Sequence, residues 1–539
     1  MNDSSTDSSS LRVTPSLWLD RSDAAMDPDQ AGAVAPEVAT DWDVAVIGGG
    51  LAGVLTALRV AERGARVALF EARTVASRTT GHSTAKVTAL HGSIYHRLIS
   101  GKDLETATRY GHANLRAVEE IRTLIDDLDI ECDAVTATAL TCAERDLQLV
   151  EREFEAATAC GLPVTWTVPT ELPFSVVGAV TMADQLRIDP VRLVDGLVTR
   201  LRTLGASVYE GIRINAVDED RDGCTIGGPG FSVRATYAVL ATHLPVIDPA
   251  LIAGRSTPAR SYVVAGRVAE PPEGMYLAAD EGWSVRATGP AVPPPTRRTT
   301  QPRRIAQSPN VIIGGEGHEM LDGVDSAPHL ERLERWAVDR YGLEVSHRWS
   351  AYDYQSVDGL PYVGRLAPGS HRRFVATGFG KWGMSMSMVA ADVIADLIDG
   401  RENPTAEILD ASRLLPTMGR KVVKNNVKVA KRFVGDRAAA LLAPSARLAP
   451  GTGVVVRRGT ALVAMACDTD GRTHMVDAAC THLGCVVSFN SGEQTWDCPC
   501  HGSRFTLDGE VLDGPARDPL PPWNAVSDDE ATSTRGGGA

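Results

Sequence analysis

The chain has 539 residues and a formal net charge of −14 at pH 7, from 54 Lys and Arg against 68 Asp and Glu. Its 43% hydrophobic and 23% charged residues are ordinary for a globular protein, and at roughly 100–200 residues per domain the length predicts two or three domains. The acidic balance argues against nucleic acid as a partner, because phosphate binding needs a basic face.

The N-terminal residues are rich in Ser and acidic side chains, and this composition predicts a disordered acidic tail over residues 1–40. They lack the basic start and the apolar run of a secretory signal. The longest apolar run, residues 44–58, has 15 residues and is too short to span a bilayer. We therefore expect a cytoplasmic protein without a transmembrane segment.

A glycine motif follows the tail. A short strand at residues 43–47 leads directly into Gly48-Gly49-Gly50-Leu51-Ala52-Gly53, and a helix over residues 54–63 comes next. A second strand, residues 66–70, ends at Glu71. This is G-x-G-x-x-G in the strand–turn–helix–strand context of dinucleotide binding, and it predicts a Rossmann-type nucleotide site.

Each residue of the motif has a physical role. Gly48 permits the tight turn, Gly50 lets a pyrophosphate approach the backbone, and Gly53 lets the helix pack closely on the strand. The helix N-terminus offers N–H groups to phosphate, and Glu71 is placed to accept hydrogen bonds from a ribose. The spacing alone does not distinguish FAD from NAD.

Periodic apolar residues continue to about residue 410. Their spacing predicts helices at residues 103–129, 143–159, 190–204 and 384–397, and strands at residues 231–241 and 311–314. We therefore expect a mixed domain of strands and helices over residues 41–410.

Four later segments resemble the FAD-dependent oxidoreductases of the D-amino-acid-oxidase and glycine-oxidase superfamily. They are Arg78-Thr-Thr-Gly-His-Ser-Thr-Ala-Lys86, Val239-Leu-Ala-Thr-His243, Asp358-Gly-Leu-Pro-Tyr-Val-Gly364 and Ala376-Thr-Gly-Phe-Gly-Lys-Trp-Gly383. The resemblance covers about residues 42–400. It implies an α/β (α+β) fold with an FAD-binding Rossmann-type domain and an inserted mixed-sheet substrate domain.

The resemblance also implies a set of FAD contacts. They are Gly48, Gly50, Leu51, Ala52, Gly53, Glu71, Ala72, Arg73, Arg78, Thr80, Ser83, Thr84, Ile214, Ala241, Thr242, Gly378, Phe379, Gly380, Lys381, Trp382 and Gly383. The late glycines form a second G-x-G-x-x-G, but no second strand ending in an acid follows them. We expect a helix N-terminus at the flavin there, not a second nucleotide site.

The resemblance further implies removal of a hydride next to a carboxylate, which an Arg usually holds by a bidentate fork. The candidates for substrate contact are Arg260, Arg286, Tyr262, Trp283, His82, Lys86, Lys381 and Trp382. For each of them a surface ion pair or core packing is an equally good interpretation. The sequence therefore defines no catalytic dyad.

A basic stretch follows. Residues 411–437 hold eight basic side chains and one acidic side chain, and apolar residues at helical spacing predict an amphipathic helical linker over residues 411–445. It could contact an anionic membrane surface or a partner, but we favour packing on the acidic residues 41–410. Short strands and turns then predict a small all-β domain over residues 446–523, and residues 524–539 a disordered tail.

The nine cysteines are too few for a disulfide scaffold, yet four of them fall within 21 residues. They lie in Cys480-Thr-His-Leu-Gly-Cys485 and Cys498-Pro-Cys-His-Gly-Ser503. Two Cys-and-His pairs could form a tetrahedral zinc site or a Rieske [2Fe–2S] cluster, but zinc does not need the additional cysteine on each loop. The pattern resembles Rieske domains that carry this additional pair.

The Rieske resemblance implies a ligand set and a disulfide: Cys480 and Cys498 on one iron, His482 and His501 on the other, and Cys485 bonded to Cys500. Neutral imidazoles in place of two thiolates raise the reduction potential, and hydrogen bonds to the sulfurs raise it further. Ser503 matches the usual hydroxyl donor, whereas Phe505 stands where high-potential relatives have Tyr. We therefore expect an intermediate potential.

Both resemblances together are to bacterial proteins that fuse a DadA-like FAD domain to a C-terminal Rieske domain. They imply an oxidoreductase that oxidises a small amine or amino-acid-like substrate and passes single electrons through the cluster to an external acceptor. In one alternative an external donor protein feeds the cluster, and the flavin reduces or hydroxylates a substrate. In another the protein is a non-catalytic redox sensor or electron-transfer protein.

Overall fold

The fold is taken from a computed structural model that describes residues 13–20, 41–130, 133–142, 146–168, 171–278, 282–288, 310–322, 325–413 and 448–523. Its helices are α1 Leu17–Asp20, α2 Leu51–Glu62, α3 Ile94–Gly101, α4 Leu104–Asp127, α5 Leu147–Ala159, α6 Pro190–Thr203, α7 Ser326–Tyr341, α8 Gly383–Ile398 and α9 Pro404–Leu409.

The strands of the first half are β1 Asp41–Ile47, β2 Val67–Phe70, β3 Lys86–Val87, β4 Asp133–Cys142, β5 Val164–Thr167, β6 Gly178–Arg187, β7 Ser207–Tyr209, β8 Ala216–Glu219, β9 Cys224–Gly228, β10 Phe231–Leu240, β11 Ser256–Arg267 and β12 Met275–Ala278. Those of the second half are β13 Ser284–Ala287, β14 Val311–Glu319, β15 Glu344–Ser356, β16 Tyr362–Arg365, β17 Arg373–Thr377, β18 Thr452–Arg458, β19 Ala461–Cys467, β20 Thr473–Asp477, β21 Ser488–Asn490, β22 Thr495–Asp497, β23 Arg504–Phe505 and β24 Val511–Asp513.

The described residues form two compact units. The larger unit runs from Val13 to His318 and resumes from Arg332 to Arg413, and the smaller unit holds the residues between Glu319 and Glu331 together with residues 448–523. Each unit has its own sheets and its own core.

The first sheet of the larger unit carries the glycine motif. Its strand order is β16-β17-β10-β1-β2-β7, with β9 paired to β10 and β8 paired to β9. Strand β1 is parallel to β2 and to β10, and β10 is parallel to β17. Parallel strands are covered on both faces, which explains why β1 is apolar almost throughout.

Helices α2 and α8 pack against each other in the core of this unit. Ten of the twelve α2 residues and eleven of the sixteen α8 residues are buried. A helix that is apolar on every side belongs in an interior, so both sequences fit this position. The helices predicted at residues 54–63 and 384–397 correspond to α2 and α8.

Two long helices start at the side chains that the sequence offers as caps. Asp103 accepts a hydrogen bond from the Thr106 N–H at 2.6 Å, at the start of α4. Asp189 accepts the Val191 N–H at 3.0 Å, and Pro190 occupies the first position of α6. An acidic N-cap and a proline in the first turn both favour helix initiation.

The second sheet of the larger unit is mixed. Its order is β15-β11-β14-β13-β12-β4-β6-β3, with β5 paired to β6. The long pair β11 and β15 runs antiparallel from Ser256 opposite Ser356 to Arg267 opposite Glu344, and β12 and β4 are parallel. Its strands alternate along the chain with those of the first sheet, as expected for an inserted domain.

The smaller unit is built from strands. The antiparallel strands β18, β19 and β20 form one sheet, and β21 to β24 form another. Trp496, Phe505 and four cysteines of the two loops lie in its core. The predicted fold class, a Rossmann-type domain with a mixed sheet followed by a small all-β domain, is confirmed.

The structure corrects the N-terminal prediction. Residues 13–20 are not a disordered tail: Leu17 and Trp18 lie in helix α1 and are each 1% exposed. Averaged over residues 1–40, the acidic composition predicts disorder, but this short apolar stretch packs into the core. The remaining residues of the predicted N-terminal tail and the whole C-terminal tail lie outside the described residues.

The predicted basic linker also lies almost wholly outside the described residues. Arg413, one of the eight basic side chains, belongs to the larger unit instead. It donates to both carboxylate oxygens of Asp358, each at 2.9 Å. Among the helices that the structure describes, none combines the length and the apolar character needed to cross a membrane.

Candidate functional site

The turn between β1 and α2 requires glycine at two positions. Gly48 has φ +109°, and a Cβ atom there would lie 2.4 Å from the Ala241 carbonyl oxygen. A Cβ atom on Gly53 would lie 1.9 Å from the carbonyl oxygen of Gly48. The motif glycines therefore allow the turn, α2 and the end of β10 to approach one another closely.

Glu71 holds this turn at the end of β2. Its carboxylate accepts the Gly49 N–H at 2.7 Å and the Arg73 N–H at 2.9 Å. Burial raises the pKa of Glu71, while these two hydrogen bonds and the charges of Arg213 and Arg78 act in the opposite direction. The carboxylate is thus fixed at the edge where a Rossmann-type sheet binds a ribose.

The segment Arg78–Lys86 is attached to the same helix N-terminus. The Thr80 hydroxyl accepts the N–H of Leu51, the first residue of α2, at 3.0 Å. At the other end of the segment, the Lys86 ammonium donates to the hydroxyl of Ser284 at 3.0 Å. Burial, with a smaller effect of Arg286, lowers the pKa of Lys86 to about 7.

The other predicted FAD contacts lie on two neighbouring elements and a loop. Ala241 and Thr242 follow β10 beside Gly48. The loop that carries buried Ile214 is joined to the Glu71 carbonyl through the Ile212 N–H at 2.9 Å. The structure therefore brings most of the first motif and its predicted partners to one edge of the first sheet.

The late glycine turn reaches the second sheet. Gly378 and Gly380 have φ +75° and +58°, and Lys381 also has a left-handed backbone, with φ +78°. The Gly380 N–H donates to the Tyr354 carbonyl at 3.1 Å, and the Lys381 N–H donates to the Asp353 carboxylate. These hydrogen bonds hold a non-glycine residue in a conformation that costs energy.

The Lys381 side chain crosses to strands β11 and β14. A Cβ atom built on Gly317 would lie 2.7 Å from the Lys381 Nζ and 3.1 Å from the Ser261 hydroxyl oxygen. Desolvation lowers the pKa of Lys381 and the Asp353 charge raises it, but the side chain stays partly exposed. An ammonium and a hydroxyl thus both flank Gly317 at this end of the turn.

Sequence reasoning missed His243 and Asp353. His243, with φ +67°, lies after β10, and its Nε2 is 3.5 Å from an oxygen of Asp353. Its ring is 4.8 Å from that of Tyr354. Asp353 stands in no motif and His243 only ends the segment Val239–His243, so the left-handed backbone and the proximity of distant segments reveal the cluster.

Trp382 lies against a buried imidazole. The rings of Trp382 and His91 are stacked, 4.5 Å apart and inclined by 17°. His91 contacts the hydroxyl of Tyr110 at 2.6 Å and that of Ser385 at 3.1 Å, and burial lowers its pKa to about 3. A neutral, fully bonded imidazole therefore fixes one residue of the late turn.

Most of the proposed substrate-contact residues lie in cores. Arg260 is 1% exposed, with its guanidinium 4.5 Å from the ring centre of Tyr352. Arg286 is 0% exposed and donates to the Ile188 carbonyl at 2.9 Å. Neither guanidinium faces solvent, and the expectation that one of them forks a substrate carboxylate stays a prediction.

The neighbouring candidates make similar internal contacts. The Tyr262 hydroxyl is 3.0 Å from His318 Nε2, and the His82 ring is bonded to the Arg78 carbonyl at 2.8 Å. Trp283 packs edge-on against Phe174, with ring centres 5.1 Å apart. Among the residues proposed for substrate contact, Lys381 is the most exposed, and it lies in the late turn.

The two Cys–His loops of the smaller unit converge. Cys485 and Cys500 form a disulfide with an S–S distance of 2.06 Å and a Cα–Cα distance of 6.5 Å. The sulfurs of these two residues and of Cys498 lie within 4.8 Å of one another. The rings of His482 and His501 are adjacent, with centroids 5.0 Å apart.

The donor atoms fit a [2Fe–2S] cluster of Rieske type. The Cys480 and Cys498 thiols are hydrogen-bonded to each other, which lowers the pKa of Cys480 and raises that of Cys498. Burial, followed by the neighbouring His482, lowers the pKa of His501 to about 4, so this imidazole is neutral. Two adjacent sulfurs and two adjacent imidazoles form the mixed donor set of such a cluster.

Around these donors, Ser503 is fully buried and hydrogen-bonded to Cys480, and it accepts the Ala516 N–H at 3.1 Å. Phe505 is also fully buried and offers no hydroxyl. The hydroxyl that the sequence predicts is therefore beside a donor sulfur, whereas the tyrosine position is apolar.

A dinucleotide turn on a parallel sheet, an inserted mixed sheet and a paired Cys–His site define a flavin-dependent oxidoreductase with a Rieske domain. The FAD dependent oxidoreductase family model matches residues 43–397, and the Rieske [2Fe-2S] domain model matches residues 439–524. The chain belongs to the FAD dependent oxidoreductase family. Its FAD-dependent domain binds FAD, and its Rieske domain binds a [2Fe–2S] cluster, as predicted.

Known proteins resemble both parts. The chain is 33% identical over 487 residues to a protein named as the Rieske 2Fe-2S iron-sulfur protein YhfW of Bacillus subtilis. The alignment covers 89% of this chain and 93% of YhfW. The chain is also 56% identical over 41 residues to the cytochrome b6-f complex iron-sulfur subunit of Synechococcus, or 8% of this chain and 24% of that subunit.

Solved structures share the fold of the larger unit. Glycine oxidase from Geobacillus kaustophilus has a TM-score of 0.58 at 20% identity, covering 70% of this chain and all of that one. L-proline dehydrogenase from P. horikoshii has a TM-score of 0.57 at 17% identity, covering 70% of this chain and 98% of that one. At these identities the likeness concerns the fold alone.

Proposed function

We propose that the protein is a dehydrogenase that oxidises a small amine or amino-acid-like substrate and delivers the electrons one at a time to an external acceptor. Bound FAD accepts a two-electron hydride equivalent, whereas a [2Fe–2S] cluster carries single electrons, so the pair of cofactors suits this division. The residues of the chain bind and orient the two groups and the substrate.

In this proposal the FAD pyrophosphate lies on the Gly48–Gly53 turn, and Glu71 accepts hydrogen bonds from the ribose. The segments Arg78–Lys86 and Gly378–Gly383 line the flavin. The iron ligands are Cys480 and Cys498 on one iron and His482 and His501 on the other, with the Cys485–Cys500 disulfide joining the two loops.

The observation that carries the substrate class is the position of the Lys381 ammonium. The ammonium lies against Gly317, which has no side chain, and near the hydroxyl of Ser261. A cation and a hydroxyl together suit a carboxylate. The names of structural neighbours, among them glycine oxidase, L-proline dehydrogenase and L-amino acid deaminase, support an amino-acid-like substrate.

An electron-accepting protein would approach the cluster loops. Leu483, directly after the proposed ligand His482, is a large apolar side chain that is 62% exposed. Its place on a cluster loop, next to a proposed iron ligand, puts this side chain where such a protein must make contact. We therefore propose a partner protein that docks around Leu483, with no nucleic acid involved.

Anaerobic titration of the purified protein with a panel of amines and amino acids tests the proposal. We expect a small amino acid or amine to bleach the flavin absorbance and then reduce the cluster. A Lys381→Met variant should need at least tenfold more substrate, because it loses the charged hydrogen bond. Reduction only by a reductase with NAD(P)H would instead support the reverse electron flow, and no response to either would support a redox sensor.

A further inference from the structure

The N-terminal segment, defined as Val13–Asp20, donates two side-chain hydrogen bonds to the backbone of the segment Arg78–Lys86. The Ser16 hydroxyl donates to the carbonyl of Gly81, and the Trp18 Nε1–H donates to the carbonyl of Ser83 at 2.8 Å. The carbonyl between them, that of His82, accepts the indole N–H of Trp349 at 2.9 Å. Three consecutive carbonyls are therefore held by side chains.

Apolar packing accompanies these hydrogen bonds. Leu17 and Trp18 are each 1% exposed. A Cβ atom on Gly81 would lie 3.1 Å from a terminal methyl of Leu19 and 2.4 Å from the Ala76 carbonyl oxygen. The backbone at Gly81 is therefore enclosed on one side by the N-terminal segment, and no other residue type fits there without a shift.

The Trp18 ring also contacts the arginine beside Lys86. Its ring centre is 5.1 Å from the guanidinium carbon of Arg286, a geometry in which a cation and an indole attract. The Arg286 charge contributes to lowering the pKa of Lys86. Trp18 thus contacts the Arg78–Lys86 segment at Ser83 and the surroundings of Lys86 through Arg286.

The N-terminal segment is itself anchored to strand β15. Thr14 and Arg348 exchange hydrogen bonds: the Thr14 N–H donates to the Arg348 carbonyl at 2.6 Å, and the Arg348 N–H donates to the Thr14 hydroxyl at 2.9 Å. At its other end, Asp20 is 3.2 Å from the His347 ring. The segment therefore ties β15 to residues 81–83.

Residues 81–83 are contiguous with groups that position the cofactor. Thr80 accepts the N–H of the first residue of α2, at the glycine turn, and Ser83 accepts the N–H of Ala85 at 2.9 Å. Ala85 has φ +52°, a conformation that non-glycine residues adopt only when their surroundings impose it. A backbone shift at residues 81–83 would therefore move both Thr80 and the strained turn before Lys86.

We propose that the N-terminal segment is an integral part of the FAD site, with Ser16 and Trp18 as positioning residues that fix the backbone of residues 81–83. The proposal rests on the proposed function only in assigning the segment Arg78–Lys86 to the flavin. FAD affinity and the flavin reduction potential then depend on residues that precede the Rossmann motif by about thirty positions and that need not touch FAD.

The test compares two N-terminal deletions of the full-length protein, one lacking residues 1–12 and one lacking residues 1–20. Apoprotein is titrated with FAD, and the dissociation constant is read from the quenching of flavin fluorescence. We expect the shorter deletion to match the intact chain and the longer one to bind FAD at least tenfold more weakly, since two buried hydrogen bonds and a buried indole are lost. No substrate is involved, so failure of the proposed reaction would leave this result unaffected.

Single substitutions decide the question even where the longer deletion does not fold. Trp18→Phe keeps a ring over Arg286 but loses the N–H to Ser83, and Ser16→Ala loses the bond to Gly81. Each should weaken FAD binding by several-fold and shift the flavin potential, with the iron content unchanged. Val150→Ala, a core truncation in α5, is the control for a general loss of stability. An FAD dissociation constant within twofold of wild type in both single variants would overturn the proposal.

Discussion

The two cofactor sites of this chain are built in opposite ways. The Cys–His site takes its donors from two loops, residues 480–485 and 498–503, joined by a disulfide and buried in one small core. The proposed FAD site draws on segments from the N-terminal residues to the late glycine turn at Gly383. A site contained in adjacent loops depends on few residues, whereas a dispersed site depends on every element that positions its segments.

The largest expected effect separates the two sites. Gly53→Ala places a Cβ atom 1.9 Å from the Gly48 carbonyl oxygen, and because that atom is backbone, the turn or α2 must shift. We expect the FAD-to-protein ratio of the purified variant to fall at least tenfold, while iron content and the cluster spectrum remain at wild-type values. Absorbance and iron analysis of the same sample measure both.

Gly101→Ala is the matched control, because no atom lies within 4 Å of the added Cβ at the end of α3. It should retain both cofactors. Loss of the cluster in Gly53→Ala would contradict the independence of the two sites, and retention of FAD would contradict the requirement for glycine in the turn.

The same contrast explains what the sequence could predict. The resemblance to Rieske domains named every proposed iron ligand and the disulfide pair, because all of them lie within the two short motifs that carry the resemblance. The glycine turn and the position of Glu71 could be predicted for the same reason. Asp353 and His243 could not be predicted, since they lie on β15 and after β10, which are far apart in the chain and meet only in the fold. The roles of Arg260 and Arg286 stay predictions, because residue type alone does not distinguish a buried guanidinium from one facing a ligand.

The N-terminal segment shows a further limit. Ser16 and Trp18 donate hydrogen bonds to backbone carbonyl oxygens. Because every residue has a carbonyl, the sequence of the accepting segment does not indicate the contact. The acidic residues around them favoured disorder on average. The tryptophan in this stretch was the signal that the sequence offered, because Trp rarely occurs in chains that stay disordered.

The second expected effect, in order of size, concerns the disulfide. Replacing Cys485 and Cys500 together by Ala removes a cross-link between residues 15 positions apart. In the chain-entropy model, such a cross-link stabilises the folded state by about 3 kcal/mol. In guanidinium unfolding we expect the cluster absorbance to disappear at a lower denaturant concentration, with FAD release unchanged. Cys467→Ala, at a buried free cysteine of the same unit, controls for the loss of a thiol. Equal midpoints for the double variant and wild type would refute this role.

A smaller effect depends on pH. His474 bridges Asp468 at 2.9 Å and Asp508 at 2.7 Å. Burial opposes its charge, but the two carboxylates outweigh burial and raise the pKa of His474 above 6.5. A raised imidazole pKa stabilises the folded state fully below the unfolded pKa, and this stabilisation is lost as pH rises through the folded value.

We therefore expect wild type to exceed His474→Gln in unfolding free energy near pH 6 by about 1 kcal/mol, since Asp508 is largely exposed and its charge is screened. The difference should disappear at alkaline pH. Denaturant unfolding at several pH values, followed by the cluster absorbance, measures it. A difference that is independent of pH would assign His474 a packing role instead.

The smallest expected effect leaves the fold intact and changes the cluster alone. Phe505 lies opposite Trp496 on strand β23, two residues after Ser503, and is fully buried. In Phe505→Tyr a hydroxyl is added beside the cluster loops, and a hydrogen bond to sulfur stabilises the reduced state. Voltammetry should show a higher cluster potential and an unchanged flavin potential.

Phe489→Tyr, opposite the same tryptophan on β21, adds the same hydroxyl away from Ser503 and should leave both potentials unchanged. A potential that does not rise in Phe505→Tyr would show that the missing hydroxyl does not limit the potential, and that cluster burial and Ser503 set it.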